Sequence, residues 1–482
     1  MILVVDIGTT GLRAALVDSK PTIRSLHYRP FPPSTPAPGL VEFDASEMGR
    51  LVLDAATAAI ADAGSEPIDA VGITNQRAST IVWDRATGEP IAPALGWQDL
   101  RTVGECIMAK IEHGLPLAPN QSATKIAWLL ANTPGAADRD LCFGTVDSWV
   151  AWVLSEGALH VTDHSNAAVT GLFQHDGSGW NDRVCELVGV PLSILPAIVD
   201  SSGPIGNASA LPGAPPIAAI AGDQQASLVG QGCVHPGLAK ITFGTGGMLD
   251  MCTGGTAPDT ANRSANGTFP IVAWSREGEL TWGVEAVMLT AGTCIEWLRD
   301  DLGLIATSAE SHDVAARCST SDGVVFVPAL LGLGTPQWDY GARGTLLGLT
   351  RGSERAHVVR AVLEGIAHRG ADMVIAAETD TGLTIPLLRV DGGMSANPTF
   401  VQALADATDK PVEVSPVAEA TTIGAGLLAG LAVGVWSGFD DIAASWSPAS
   451  VVEPRQRLDR TRWAIAVERA AGWIPELSAL DF

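Results

Sequence analysis

One carboxylate, Asp223, stands at the seam between two segments of different character. Ahead of it, Pro216 to Ala221 is an apolar run that reads as a buried strand ending at Gly222. Behind it, Gln224 onward reads as the first turns of a helix. A helix start favours negative charge and is expected to hold Asp223 ionised near neutral pH. An ionised aspartate at the carboxyl end of a strand suits a general base for a substrate hydroxyl. A plain helix N-cap would use the same residue in the same place, and Gly-Asp alone does not separate the two.

Two other stretches carry residues that could hold phosphate. Residues 2–18 read as two apolar runs around Gly8-Thr9-Thr10-Gly11, a hairpin signal whose turn offers N–H groups and two hydroxyls. Asp6 on its first strand could hold Mg²⁺ directly or through water, and Arg13 past the turn could meet phosphate with both arms. The pattern returns at residues 238–251, where Gly244-Thr245-Gly246-Gly247 separates two more strand-like runs. One such turn is an ordinary hairpin feature. Two, one opening each half, point to a duplicated fold closing on one nucleotide. Neither half has a Gly-x-x-x-x-Gly-Lys-Ser/Thr loop, and no Gly-x-Gly-x-x-Gly opens a helix after the first strand.

Trp97 beside Gln98, Asp99 and Arg101 is the mixture of a sugar pocket, an aromatic wall with hydroxyl-binding groups; a core tryptophan with polar neighbours fits equally well. Asp391-Gly392-Gly393 would let backbone lie against a flat base, with Asn397 available for hydrogen bonds.

The elements that must position these groups are legible in outline. Residues 46–64 form an amphipathic helix, Ala70 to Thr74 a strand, and Ser122 to Leu130 a helix. In the second half, Gly323 to Leu330 reads as a strand, Val358 to Ile366 as part of a helix, and Leu387 to Val390 as a strand. The run Ala420–Trp436 is a helix whose small residues permit close approach.

A chain of 482 residues exceeds the size at which single cores stop growing, so two domains are expected, 1–232 and 233–482. A net charge of −24 argues against nucleic acid or an anionic membrane as partner. Any polyphosphate must then be met locally by backbone N–H groups, a few basic residues and a cation. Seven scattered cysteines without Cys-x-x-Cys spacing read as reduced thiols of a cytoplasmic protein. The nine histidines are read as supplying no zinc site. The N-terminus carries no basic region ahead of its apolar run, so no signal peptide is expected.

Taken together, these motifs resemble the FGGY family of carbohydrate kinases, and within it most of all the glycerol kinases. The likeness runs through Asp6-Ile-Gly-Thr-Thr10, Gly72-Ile-Thr-Asn-Gln-Arg77, Gly144-Thr-Val-Asp147 and Ala221-Gly-Asp-Gln-Gln-Ala226. It continues through Phe243-Gly-Thr-Gly246, Trp297-Leu-Arg-Asp300, Gly344 to Glu364, Val390-Asp-Gly-Gly393 and Ala429 to Gly434, nearly the whole chain. The resemblance implies a duplicated α/β fold of two actin-like, ribonuclease-H-type domains, with ATP and Mg²⁺ between them. It implies Asp223 as catalytic base and Asp6 as the Mg²⁺-associated carboxylate. Thr9, Thr10 and Arg13 match the first phosphate loop, Gly244 and Thr245 the second, and Gly393 with Asn397 the adenosine contacts. Arg77, Trp97, Asp223 and Gln224 match contacts to a polyol or sugar. A homo-oligomer, such as a dimer, is also implied; a member that binds nucleotide or polyol for regulation without turnover is the alternative of another class.

Four positions depart from the family pattern. The usual Arg-Glu pair is Arg77-Ala78, the aromatic ahead of the Ser-x-Thr-Lys helix is Asn120, Ala131 misses a polar position, and an aromatic before Ala291-Gly292 is Leu289. A hydroxyl left without a partner in a dry site costs about 1–3 kcal/mol. Ala78, Asn120 and Leu289 therefore predict a rebuilt substrate wall and an acceptor that is a larger or differently shaped polyol or ketose.

Overall fold

Ile2–Ile7 and Ala70–Asn75 are mostly apolar on both faces, and both segments are buried throughout, as central strands of a covered sheet must be. The computed structural model describes residues 1–259 and 263–480. It assembles thirteen strands into one sheet. In the first half these are β1 (Ile2–Ile7), β2 (Gly11–Val17), β3 (Ile23–Pro30), β4 (Ala70–Asn75), β5 (Ser202–Asn207) and β6 (Pro216–Gly222). In the second they are β7 (Ala239–Phe243), β8 (Gly247–Gly254), β9 (Phe269–Arg276), β10 (Glu279–Met288), β11 (Leu388–Asp391), β12 (Val412–Val414) and β13 (Ser450–Val452). Across the sheet the order is β13-β12-β11-β7-β8-β10-β9-β5-β6-β4-β1-β2-β3.

Each half follows one plan. β3, β2 and β1 are antiparallel, β4 and β6 continue parallel to β1, and β5 closes antiparallel. In the other half β9, β10, β8 and β7 are antiparallel, β11 and β12 parallel to β7, and β13 antiparallel. A single bridge, Ser202 to Arg276, joins the halves. The duplication anticipated from the two turns is thus written into the sheet topology.

The helices relevant to the site are α1 (Ala45–Asp62), α2 (Val103–His113), α3 (Ala123–Asn132), α4 (Val146–Leu154), α5 (Asp223–Gly230), α6 (Arg355–Thr381), α7 (Pro398–Thr408) and α8 (Ala420–Ala432). α8 ends short of the expected Trp436, and Gly434 beyond it has a φ of +76°. The strand expected from Gly323 is confined to Val325–Val327.

Three of the apolar cores lie against this sheet. One lies under the first half around Leu3, Ile7, Trp83 and Trp149, and one under the second around Phe243, Phe326 and Phe400. The third packs α5 and α8 on the other face of β1, β4 and β6, with Val4, Leu228, Ile423 and Leu428. α8 belongs to the later part of the sequence yet covers the sheet of the earlier part. Its crossing with α5 is close because the contact residues are glycines: a Cβ on Gly424 would lie 1.7 Å from the Ala226 carbonyl oxygen. The small residues of 420–436 serve the close approach that was anticipated.

All seven cysteines are unpaired and six are buried. Among the described residues, no helix is long and apolar enough to cross a membrane.

Candidate active site

β6 ends at Gly222 and α5 begins at once, so Asp223 is the first residue of the helix and Gly222 its cap. Gly222 has no room for a side chain, since a Cβ would meet Gln225 Oε1 at 2.6 Å and Arg77 Cδ at 2.7 Å. The Asp223 carboxylate keeps 31% of its side-chain surface exposed and lies 3.4 Å from Arg77 Nε. Its Oδ1 accepts the Gln224 N–H at 2.8 Å. Burial pushes its pKa upward; Arg77, the Gln224 N–H and Lys240 pull the other way, and Asp250 adds to the rise. The expectation that the helix start would dominate is therefore corrected. Crowding by protein is the largest influence, and two cations keep the ionised form accessible.

Asp6, inside β1, faces the same region. Its Oδ2 accepts from Arg13 Nη1 at 3.2 Å and from Thr422 Oγ1 at 2.8 Å. Burial raises its pKa, Arg13 and Thr422 oppose this, and Asp223 and Glu419 reinforce it. Thr421, the neighbour of Thr422 in α8, donates its hydroxyl to the Asp223 carbonyl at 3.4 Å. The first turn of α8 thus touches both aspartates.

The first turn closes through a Gly8 N–H to Gly11 carbonyl bond of 2.9 Å. Thr9 accepts the Trp97 indole N–H at 3.4 Å, and Thr10 is exposed. Arg13, read as a phosphate contact, is engaged by two carboxylates, Asp6 at 3.2 Å and Glu419 at 2.8 Å. A phosphate would have to compete for it. In the second turn, Gly244 and Thr245 are exposed, and their carbonyls accept N–H groups from Gly292 and Ala291 at 2.9 and 2.8 Å.

Trp97 is 38% exposed, so it is not a core tryptophan. Its backbone is fixed by Ser79 Oγ, which accepts the Trp97 N–H at 3.1 Å, and by Lys125 from α3. Lys125 is fully buried and donates to the Gly96 carbonyl at 2.7 Å and the Trp97 carbonyl at 3.2 Å.

Arg77 follows β4 and reaches across to the second half, where its Nη2 donates to Glu285 at 2.6 Å. Gln224 gives its Oε1 to Lys240 Nζ at 2.6 Å. Ala78 is buried with a φ of +61°, and its carbonyl accepts the Ser122 hydroxyl at 3.0 Å.

Other expected positions lie apart from this group or are already engaged. Asn120 is exposed in the turn ahead of α3. Leu289 follows β10 beside the second turn, where the space over Gly246 is bounded by the Leu289 carbonyl oxygen at 3.3 Å. It therefore borders the Gly244–Gly246 turn. Asn397 caps α7: its Oδ1 accepts the Phe400 N–H at 3.1 Å, and its Nδ2 donates to Ser311 at 2.9 Å. Gly393 is exposed with open space where a Cβ would stand. The glycine the fold requires is its neighbour Gly392, with a φ of +86° and Phe243 O 2.4 Å from a would-be Cβ.

Sequence reasoning missed Lys240, Asp250 and Glu285. Lys240 and Asp250 are fully buried and lie 2.7 Å apart. The available signal was one charged residue inside each of three strand-like apolar runs. It also overlooked the four-residue spacing of His160 and His164. Their rings diverge: His160 Nε2 meets the Phe143 carbonyl at 2.7 Å, while His164 Nδ1 meets Ser275 Oγ at 2.9 Å.

Family models for the N-terminal and C-terminal domains of the FGGY family of carbohydrate kinases match residues 1–230 and 239–433. The chain belongs to this family. It is 43% identical to a glycerol kinase of Aromatoleum aromaticum over 98% of this chain and 99% of that one. It is 42% identical to a glycerol kinase of Deinococcus radiodurans, covering 98% of each. Among solved structures, Plasmodium falciparum glycerol kinase with ADP superposes with a TM-score of 0.91 at 30% identity, over 98% of both chains. A xylulose kinase of Lactobacillus acidophilus gives a TM-score of 0.83 at 20% identity, over 100% of this chain and 99% of that one, which shows the fold alone. The FGGY fold of two actin-like domains accounts for the repeated sheet plan, with both glycine-threonine turns carried on matching hairpins.

Proposed function

We propose that this chain transfers the γ-phosphoryl group of ATP to a terminal hydroxyl of a small polyol or ketose. The observation that carries this is Asp223, an aspartate on the first residue of a helix, 3.4 Å from the guanidinium of Arg77. Asp223 accepts the hydroxyl proton as the oxygen attacks phosphorus in line. The transition state of phosphoryl transfer is loose, so a carboxylate is base enough. Arg77, Gln224 and Trp97 orient the acceptor, and N–H groups of the two turns stabilise charge on the phosphoryl oxygens.

Mg²⁺ fits the donors present. Mg²⁺ takes oxygen ligands, one or two from carboxylates and the rest from phosphate and water, and Asp6 is a carboxylate beside the first turn. Asp6 would hold it, directly or through water, and the bound ion would neutralise phosphate charge. Thr9, Thr10, Gly244 and Thr245 would line the phosphates, and Gly393 would lie against the adenosine.

Two readings of the acceptor compete. The glycerol kinases at 42–43% identity favour glycerol itself. Ala78 beside Arg77, in place of the family's glutamate, favours another small polyol or ketose. A coupled ADP-release assay with Mg-ATP decides, on glycerol, dihydroxyacetone, erythritol, threitol, ribitol, arabitol, xylulose and ribulose. Asp223→Asn should reduce turnover to background with ATP binding retained; turnover near the wild-type rate in that variant would refute the assignment. Silence of the wild type on the whole panel would favour a regulatory binding protein. As in the family, we propose a homo-oligomer.

A further inference from the structure

Lys240, Asp250 and Glu285 come from β7, β8 and β10, and the register sets them side by side: Lys240 opposite Asp250, and Asp250 opposite Glu285. They form one rung of charge across β7, β8 and β10. The ends of the rung leave the second half altogether. Lys240 donates to Gln224 at 2.6 Å, and Glu285 accepts from Arg77 at 2.6 Å; both partners belong to the first half and flank Asp223.

Accepting the kinase reading above, we infer that Lys240, Asp250 and Glu285 are positioning residues that fix which atoms Gln224 and Arg77 present to the acceptor. A glutamine amide can turn either its oxygen or its NH₂ outward. Because Lys240 holds Oε1 of Gln224, the NH₂ is the end left for the acceptor. Arg77 has a comparable choice. Glu285 takes Nη2 and Asp223 lies near Nε, which leaves Nη1 buried without a partner. A buried donor left unsatisfied is costly, so the guanidinium keeps this orientation because Glu285 and Asp223 hold its other nitrogens. Asp250 locks the lysine in place at 2.7 Å.

Stability gives no reason for these charges. Replacing a buried ion pair by apolar residues of similar volume is often neutral or stabilising, since the desolvation cost disappears. Burial raises the Glu285 pKa against the pull of Arg77, and Asp250 adds to the rise. What the charges supply is direction.

The test uses the full chain and two variants. Lys240→Met with Asp250→Leu removes the pair without stranding either charge, and Glu285→Gln keeps shape while removing charge. Turnover is measured with Mg-ATP on glycerol and on dihydroxyacetone, alongside Tm without ligand. A lost hydrogen bond to a charged group corresponds to about tenfold or more. KM for the acceptor should rise by at least that factor in both variants. KM for ATP should stay within about twofold, with Tm of the paired variant within a few degrees of wild type. Unchanged acceptor KM in both variants, or ATP and acceptor KM rising together, overturns the inference. A wild type inactive on every acceptor overturns the kinase reading instead, and this inference with it.

Discussion

Replacing Gly424 by alanine sets two opposed effects against each other at the crossing of α5 and α8. In a helix interior alanine is better than glycine by about 1 kcal/mol. Here, however, the new Cβ would sit 1.7 Å from the Ala226 carbonyl oxygen, where ordinary contact begins at 3.4 Å. The obstacle is backbone, so no rotamer relieves it, and the helices must separate by more than an ångström. Overpacking of this kind costs about 1–3 kcal/mol, and backbone against backbone belongs at the upper end. The net effect is a loss of about 1–2 kcal/mol, or roughly 2–8 °C in Tm at about 2–4 °C per kcal/mol. The functional loss should be larger than the thermal one. Asp223 opens α5, and Thr421 and Thr422 at the start of α8 hold the Asp223 carbonyl and the Asp6 carboxylate. Moving the helices apart misplaces both aspartates at once, so kcat should fall by an order of magnitude or more below the new Tm. Gly104→Ala in α2 is the control, because nothing lies within 4 Å of its would-be Cβ. It should be stabilised by up to about 1 kcal/mol with unchanged kcat. Scanning fluorimetry and steady-state kinetics on both variants suffice. A Gly424→Ala protein with wild-type Tm and kcat would refute the claim that this crossing sets the aspartates.

Two buried groups should leave opposite marks on the pH dependence of stability. Burial, with Asp163 nearby, raises Asp147 in α4 to about 7, so the native state holds a proton that the unfolded chain releases near pH 4. Its contribution is then lost as pH rises from about 4 to about 7, and Asp147→Asn should flatten that part of a Tm profile. Burial lowers Lys125 to about 7 while Asp99 opposes it, so the unfolded chain binds the extra proton above neutrality. Stability from this group is lost as pH falls from about 10.5 to about 7, and Lys125→Met should flatten the alkaline limb. The same variant frees the carbonyls of Gly96 and Trp97, so the acceptor KM should rise several-fold while the ATP KM holds. The raised pKa of Asp223 requires turnover to fall on acidification, at a higher pH than an ordinary aspartate would give; a flat kcat/KM down to pH 4 would contradict its role as base.

The sequence was most informative where local rules and tertiary demands coincide. The two hairpins were legible because apolar runs flank glycine-rich turns, and β1–β2 and β7–β8 form there. The seam at Asp223 was legible because an apolar strand stops at a glycine and a helix begins at once. Asn397 shows the limit. Its type suited a base contact, but Asn before Pro398 is also an N-cap signal, and the helix takes its side chain. Arg13 likewise looked available to phosphate, while its carboxylate partner Glu419 lies some four hundred residues away in the chain.

The charged rung illustrates a deeper limit. Lys240, Asp250 and Glu285 each interrupt an apolar strand, and each alone reads as a local flaw in the pattern. Their meaning depends on register, because sliding β8 by one residue against β7 would send Asp250 to the opposite face and leave Lys240 buried without a counterion. The penalty for an unpaired buried charge, about 3–5 kcal/mol, makes the rung a lock on the register as well as a support for Gln224 and Arg77. Asp250→Leu alone should therefore destabilise the protein strongly, whereas adding Lys240→Met should restore most of the lost Tm without restoring acceptor KM. If the second substitution restored both, the lysine and aspartate would serve only each other, and the contact with Gln224 would have no functional weight.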